Sequence, residues 1–99
     1  MIVEYSYLKI RPGLAAEFET TFAKARPILT SADGCVAASL FRDAEHPSSY
    51  LLKVTWLKLE AHLETFPDSE AGRRFADHVA HYFVGSPEVR HFEDEELAA

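Results

Sequence analysis

The stretch that decides the fold is YLLKVTW, at residues 50–56. It is rich in β-branched and aromatic residues and contains neither glycine nor proline, which is typical of a β-strand. Because side chains alternate along a strand, Trp56 shares one face with Tyr50, Leu52 and Val54. Trp56 is the only tryptophan of the chain and ends the strand just before a helical pattern begins. We therefore expect Trp56 to line any pocket between the sheet and the helices.

The spacing of apolar residues on either side of this strand predicts the other elements. Alternating or apolar runs predict strands, and apolar spacings of three and four predict helices. The predicted strands span residues 2–10, 35–42 and 88–93, and the predicted helices span residues 14–29, 58–66 and 70–84. Pro27 lies inside the first helical pattern. Since proline removes a backbone donor and crowds the preceding turn, we expect a kink or break near Arg26.

The resulting order of elements is β-α-β-β-α-β, with the second helix broken in two. This is the order of the α+β ferredoxin-like split βαβ fold, in which a four-stranded antiparallel sheet carries its helices on one face. The length of the chain suits one domain, which we place at residues 1–94. The acidic residues 95–99 are expected to form a C-terminal tail.

Both faces of the predicted sheet are apolar. The second strand offers small or apolar side chains to both sides: Val36, Ala38 and Leu40 to one, and Cys35, Ala37 and Phe41 to the other. The helices cover only one face, and a large exposed apolar face usually marks an interface. We therefore expect a homodimer that forms through the sheet face, with the two sheets paired as a dimeric α/β barrel.

The composition excludes several classes of partner. The chain has 99 residues, of which 47% are hydrophobic, and a formal charge of −6 from 10 basic and 16 acidic residues. Nucleic acids and anionic membranes attract positive surfaces, so neither is an expected partner. The single cysteine, Cys35, excludes an intrachain disulfide and a cysteine-clustered zinc site. There is no signal-peptide pattern and no apolar run of about 20 residues, and we expect a soluble, cytoplasmic protein.

With its elements placed, the chain resembles the antibiotic biosynthesis monooxygenase domain of the dimeric α+β barrel superfamily. The resemblance covers about residues 1–93. It is carried by short motifs in a characteristic order: Arg11-Pro12-Gly13 with Glu17-Phe18, Gly34-Cys35, Arg42-Asp43 with Pro47, Trp56 with Glu60-Ala61-His62, then Phe66, Ser69 and Pro87-Glu88-Val89. The resemblance implies a sheet-to-sheet dimer in which each subunit keeps its own pocket between sheet and helices.

The resemblance implies several activities. Some members of the family look like monooxygenases that insert oxygen into phenolic polyketides without metal or flavin, others degrade haem, and others handle small signalling or quinone-like molecules. In the haem-degrading branch an asparagine, a tryptophan and a histidine form the site. Ser6 occupies the asparagine position in this sequence, Trp56 matches the tryptophan, and His78 lies close to the histidine position.

Oxygenation without a cofactor requires little from a protein. An electron-rich phenol has to be held in a dry, aromatic-lined cavity and deprotonated, so that the anion can pass an electron to O₂. The base should have a pKa near neutrality, which histidine offers. Two histidines border apolar helix faces: His78 lies three residues after Phe75, and His62 precedes Phe66 by four residues. Either histidine is a candidate base.

The leading hypothesis is therefore a monooxygenase, without metal or other cofactor, that acts on a small aromatic or quinol-type compound. Trp56 would shape the pocket, and Ser6 and Tyr50 would orient substrate oxygens. Phe66 and Phe75 complete the expected substrate-binding residues.

Other functions stay open from the residues alone. The chain can equally be a non-catalytic module that binds a small ligand or dimerises, in which case Phe66, Phe75 and Phe83 would fill the space beside Trp56. A haem-binding or haem-degrading relative is a further alternative. His78 and His81 have the spacing of a metal pair, but no carboxylate is fixed beside them, so no metal site is expected.

The two remaining histidines are expected at the surface: His46 in a loop and His91 on the last strand.

Overall fold

The computed structural model describes residues 1–98, and the last residue of the predicted acidic tail, at position 99, lies outside the described residues. The strands are β1 (Ile2–Lys9), β2 (Cys35–Arg42), β3 (Ser49–Trp56) and β4 (Glu88–Glu93). The helices are α1 (Ala15–Thr30), α2, which is a π-helical segment (Ala61–Thr65) continued by one α-helical turn (Phe66–Asp68), and α3 (Glu70–Val79), which a 3₁₀ turn (Ala80–Tyr82) follows. No helix among residues 1–98 is long and apolar enough to cross a membrane.

The four strands form one antiparallel sheet in the order β2-β3-β1-β4. This order confirms the predicted ferredoxin-like α+β class, because β1 lies inside the sheet between β3 and β4. The register places Ile2 opposite Trp56 on one side of β1 and Glu4 opposite His91 on the other. The start of β1 and the ends of β3 and β4 therefore lie at the same end of the sheet.

The core lies between one sheet face and the helices. β3 alternates as predicted, with Tyr50, Leu52, Val54 and Trp56 all buried and the intervening residues less so. α1 packs its predicted apolar stripe on this face, and its buried members are Phe18, Phe22, Ala25 and Leu29. Burying each aromatic or leucine side chain contributes about 1.5–3 kcal/mol, which is the main source of stability available to so short a chain.

Two details of the predicted helices are wrong. The break expected near Arg26 does not occur, because α1 runs through Pro27 to Thr30. Ala25 and Leu29, on either side of Pro27, are both buried against the sheet, and this packing outweighs the one backbone hydrogen bond that proline removes. The third helix ends at Val79 rather than near Val84, since the chain there tightens into the 3₁₀ turn.

Two glycines hold α2 against the rest of the fold. Gly34 has a φ of +81°, and a Cβ on it would lie 2.6 Å from the Cβ of Ala61, the first residue of α2. A Cβ on Gly72 would lie 1.9 Å from the carbonyl oxygen of Phe66. Both contacts are too close for any other residue. They fix both ends of the segment that carries His62 toward the sheet.

Candidate active site

A small cavity lies between the sheet and the helices, beside Trp56. Its volume is ≈ 170 Å³. The walls are mostly apolar and come from both the sheet and the helices. The lining residues are Glu4, Ser6, Leu8, Leu29, Leu52, Val54, Trp56, His62, Phe66, Phe75, Phe83, Pro87 and Val89. Only Glu4, Ser6, Trp56 and His62 bring polar atoms to it. The cavity is thus an apolar chamber with one polar corner.

Glu4 is the centre of that polar corner. It lies on the inward face of β1, and only 5% of its surface is exposed. Its Oε2 accepts a hydrogen bond from the hydroxyl of Ser6, and its Oε1 accepts one from the indole Nε1–H of Trp56 at 2.9 Å. The Nε2 atom of His62 lies 3.3 Å from the same Oε1. A buried carboxylate is costly unless it is hydrogen-bonded, and this one accepts two hydrogen bonds and lies within ion-pair distance of His62.

His62 connects α2 to this carboxylate. Its imidazole stacks on the indole of Trp56, with ring centroids 5.1 Å apart and planes inclined by 10°. Its Nδ1 lies 2.7 Å from Nε2 of His91. Burial lowers the pKa of His62 below its ordinary value of 6.5, and the charge of Glu4 opposes that change while His91 adds to it. The neutral imidazole is therefore favoured near neutral pH.

The π-helical turn decides which way His62 points. One extra residue per turn shifts the phase of a helix, and such turns recur at functional sites. In α2 this turn buries Ala61 against Gly34 and brings His62 over Trp56, while Leu63 stays exposed. The imidazole reaches the polar corner for this reason.

The sequence predicts His91 at the surface of β4, and this prediction is wrong. The imidazole of His91 is half-buried against His62. The pairing of β1 with β4 puts it directly opposite Glu4. A signal was present in the sequence, since alternation along β4 gives His91 the same face as Val89, which lines the cavity. Glu4 gave a similar signal, because alternation along β1 places this acidic residue on the same face as Leu8 and Ile10.

Comparisons with known proteins agree with this architecture. The profile of the family described as antibiotic biosynthesis monooxygenase matches residues 1–95. This chain belongs to that family. An uncharacterised protein of Bacillus subtilis, YczJ, is 35% identical over 94 residues, which cover 95% of this chain and 99% of YczJ.

Solved structures of the antibiotic biosynthesis monooxygenase family have the same fold. A candidate antibiotic biosynthesis monooxygenase from Bordetella bronchiseptica superposes with a TM-score of 0.90 at 32% identity, covering 96% of this chain and 97% of that protein. SnoaB of Streptomyces nogalater, a cofactor-independent oxygenase, superposes with a TM-score of 0.78 at 19% identity, covering 97% and 94%. The likeness to SnoaB is one of fold.

Five of the predicted site residues meet at the cavity in this family member. They are Ser6, Trp56, His62, Phe66 and Phe75. Phe66 contacts Trp56 at a centroid distance of 5.3 Å and Phe75 at 6.3 Å, so the two phenylalanines form one wall without filling the chamber.

Two predicted site residues lie elsewhere. His78 is exposed on α3, where its Nδ1 lies 2.8 Å from the carbonyl oxygen of Arg74, and it does not line the cavity. Tyr50 is buried on the same face as Trp56, but at the other end of β3. Its hydroxyl donates to Glu19 at 2.5 Å, and burial together with this carboxylate raises the pKa of Tyr50.

No metal centre is formed by the described residues. Among residues 1–98 no group of three or more His, Cys, Asp or Glu side chains has a geometry that could hold an ion. Glu4, His62 and His91 instead use their polar atoms on one another.

Proposed function

We propose that the protein is a cofactor-independent monooxygenase that acts on a phenol or hydroquinone of one aromatic ring. The observation that carries this proposal is the pairing of the buried Glu4 with the partly buried His62 at the wall of an otherwise apolar, aromatic-lined cavity. An acid–base group with a perturbed pKa in a dry cleft is a common sign of a catalytic site. Membership of a monooxygenase family supports the same chemistry.

The size of the cavity supports a single-ring substrate. An apolar protein cavity of about 150 Å³ binds benzene. At ≈ 170 Å³, the chamber beside Trp56 offers room for a ring with small substituents. Haem has four pyrrole rings and is far larger, and we do not extend the proposal to it.

The proposed reaction balances without an external reductant. The Glu4–His62 pair removes a proton from a hydroquinone hydroxyl, and the resulting anion forms a C–O bond with O₂. The distal peroxide oxygen takes up that proton. Loss of the proton on the same ring carbon then forms a C=O bond, breaks the O–O bond and releases water. The products are a hydroxyquinone and water, and the substrate supplies all of the electrons that reduce O₂.

The five predicted site residues that line the cavity each have a defined part in this proposal. Trp56 and Phe66 hold the ring, and Phe75 excludes water from the far wall. Ser6 donates its proton to Glu4, so its lone pairs stay available to accept a hydrogen bond from a substrate hydroxyl. Burial of His62 beside this carboxylate lowers the pKa of the imidazole, which keeps it neutral near pH 7.

We also propose that the protein forms a homodimer through the outer sheet face. Tyr7, Phe41 and Phe92 on this face are each more than half exposed. The edge-to-face contact of Phe92 with Tyr5, at 5.5 Å, extends the apolar patch across β4. An open groove of ≈ 800 Å³ crosses the same face between the β2–β3 loop and the start of β4. A second copy would cover a patch that is unusually apolar for a monomer.

A non-catalytic ligand-binding module is the competing function, and one observation favours it. Among residues 1–98, every buried side-chain nitrogen or oxygen already has a hydrogen-bond partner. A ligand in the cavity would then be held mainly by apolar contact, because these polar atoms are already paired within the protein.

Oxygen uptake distinguishes the two functions. The protein is incubated with hydroquinone and methylhydroquinone, and O₂ consumption and quenching of Trp56 fluorescence are recorded together. Incorporation of one labelled oxygen atom from O₂ into a hydroxyquinone, lost at least about a hundredfold in His62→Gln and retained in His46→Gln, is the expected result. Saturable quenching without O₂ consumption would establish the binding module instead.

A further inference from the structure

Glu4, His62 and His91 form a continuous chain of polar contacts from the cavity to the edge of the sheet. The links are His62 Nε2 to Glu4 Oε1, at 3.3 Å, and His62 Nδ1 to His91 Nε2, at 2.7 Å. Three different elements contribute, since Glu4 comes from β1, His62 from α2 and His91 from β4. The fold itself therefore builds this chain.

The chain leaves His62 without a free nitrogen. An imidazole has two ring nitrogens, and those of His62 face Glu4 and His91. Neither can accept a proton directly from a molecule in the cavity. The carboxylate of Glu4 offers about four acceptor positions, accepts two hydrogen bonds and faces Nε2 of His62, so an acceptor position stays available beside Ser6.

The same geometry fixes the protons on both imidazoles. An ionised Glu4 can only accept, so the proton of neutral His62 has to be on Nε2. Nδ1 of His62 is then an acceptor, and the facing Nε2 of His91 has to be the donor. An imidazole tautomer is set by the partner of its other nitrogen in this way.

We propose that Glu4 is the group that takes the proton of the phenol, and that His91 is a positioning residue that holds His62 in its Nε2–H form. The first part rests on the proposed function, whereas the second holds for the resting protein. Glu4 holds this proton on its own carboxyl group until the peroxide oxygen takes it up, and His91 keeps the Nε2–H of His62 directed at Oε1 of Glu4. Substrates that already carry a negative charge on the ring are excluded by the carboxylate.

The surroundings of the chain contain few other ionisable groups. Cys35, on β2, is close enough to Glu4 for the carboxylate charge to raise its thiol pKa. The cavity walls contributed by α1 and α3 are the apolar side chains of Leu29 and Phe75. The walls from α1 and α3 therefore add no further ionisable group beside Glu4.

A ligand that changes colour on deprotonation tests the role of Glu4 without any turnover. The phenolate of 4-nitrophenol absorbs visible light and the neutral phenol does not. We expect 4-nitrophenol bound to the wild-type protein to show the phenolate band at a pH below its transition in water. Glu4→Gln keeps an acceptor oxygen for Trp56 and should bind the neutral form. A phenolate band of equal strength in Glu4→Gln would overturn the role of Glu4.

Nitrogen NMR of the histidine rings tests the role of His91 separately. The expected result is a protonated Nε2 and an unprotonated Nδ1 on His62 in the free protein. His91→Leu removes the donor and should give a mixture of tautomers, whereas the side-chain amide of His91→Gln can donate in its place and should restore the Nε2–H form. His46→Gln, in an exposed loop, is the matched control. A proton on Nδ1 of His62, or an unchanged tautomer in His91→Leu, would overturn the proposal.

The outcomes distinguish a failure of the proposed function from a failure of the role of His91. If no phenol binds or is oxidised, the proposed function and the role of Glu4 both fail, and the NMR result still decides the role of His91. If oxidation occurs, His91→Leu should lower kcat about tenfold to a hundredfold with little change in KM, and His91→Gln should recover most of it. Equal kcat in wild type and His91→Leu would contradict positioning.

Discussion

The indole Nε1–H of Trp56 donates to Oε1 of Glu4 at 2.9 Å, with both side chains almost fully buried. Trp56 thus has two functions: its ring forms part of the cavity wall, and its N–H stabilises the buried carboxylate of Glu4. This link joins the start of β1 to the end of β3 at the polar corner.

Replacing Trp56 by phenylalanine should destabilise the protein by about 2–4 kcal/mol. The change removes a hydrogen bond to a buried carboxylate and leaves a gap in a fully buried position. Tyr82→Phe is the matched control, since it removes part-buried hydrogen bonds to Glu17 and Thr21, keeps the ring in place and should cost about 1 kcal/mol. Urea unfolding measures both. A loss below that of the control would show that Glu4 does not depend on the indole.

Acid should destabilise the protein through His62. Burial lowers its pKa in the folded state, so between the folded and unfolded pKa values the unfolded chain binds more protons. Stability from this group is complete above about pH 6.5 and falls as the pH drops through the folded pKa. We expect the melting temperature of wild type to fall more steeply than that of His62→Gln below this pH. Parallel curves for the two proteins would contradict the assignment.

Gly72→Ala should unfold α2 or the whole domain, with a loss of about 3 kcal/mol or more. Its new Cβ would meet the carbonyl oxygen of Phe66 at 1.9 Å, and this backbone group cannot turn aside as the end of a flexible side chain could. Gly13→Ala provides the control, because its Cβ meets nothing within 4 Å and its cost of about 1 kcal/mol comes from positive φ alone. Thermal unfolding compares the two. Similar losses would mean that α2 adjusts to the side chain.

Removing the charge of Glu4 should make Cys35 more reactive. Burial and the negative charge of Glu4 both raise the thiol pKa, so Glu4→Gln should increase the thiolate fraction at a given pH. The rate of reaction with a chromogenic disulfide reports that fraction. Glu60→Gln changes an exposed acid and should leave the rate unaltered. A rate in Glu4→Gln equal to that in wild type would indicate that Glu4 is uncharged.

A glutamate on the outer sheet face should disrupt the proposed dimer. Phe41→Glu places a charge on the exposed apolar face at the edge strand β2, where burying it against a second copy would be costly. Leu57→Glu is equally exposed but lies in the turn after β3, and should leave the oligomeric state unchanged. Sedimentation velocity measures the result. A monomeric wild type would refute the dimer itself.

Much of the architecture could be read from local patterns. The predicted limits of β2 and β4 coincide with the observed strands, and alternation placed Tyr50 to Trp56 on the inward face. These are local properties of the chain, since the period of a strand depends only on neighbouring residues. The same alternation put Glu4 beside Ser6 on that face, but it gave the carboxylate no partner.

The chain by itself determined the order of elements, the family and most of the cavity wall, including Trp56, Ser6 and Phe66. Only the tertiary structure decided that His62, rather than His78, reaches the cavity, because a π-helical turn held by Gly34 and Gly72 sets the direction of that side chain. It also decided that His91 joins the site. Contacts among β1, α2 and β4 span most of the chain, and no local pattern encodes the distances between residues so far apart in sequence.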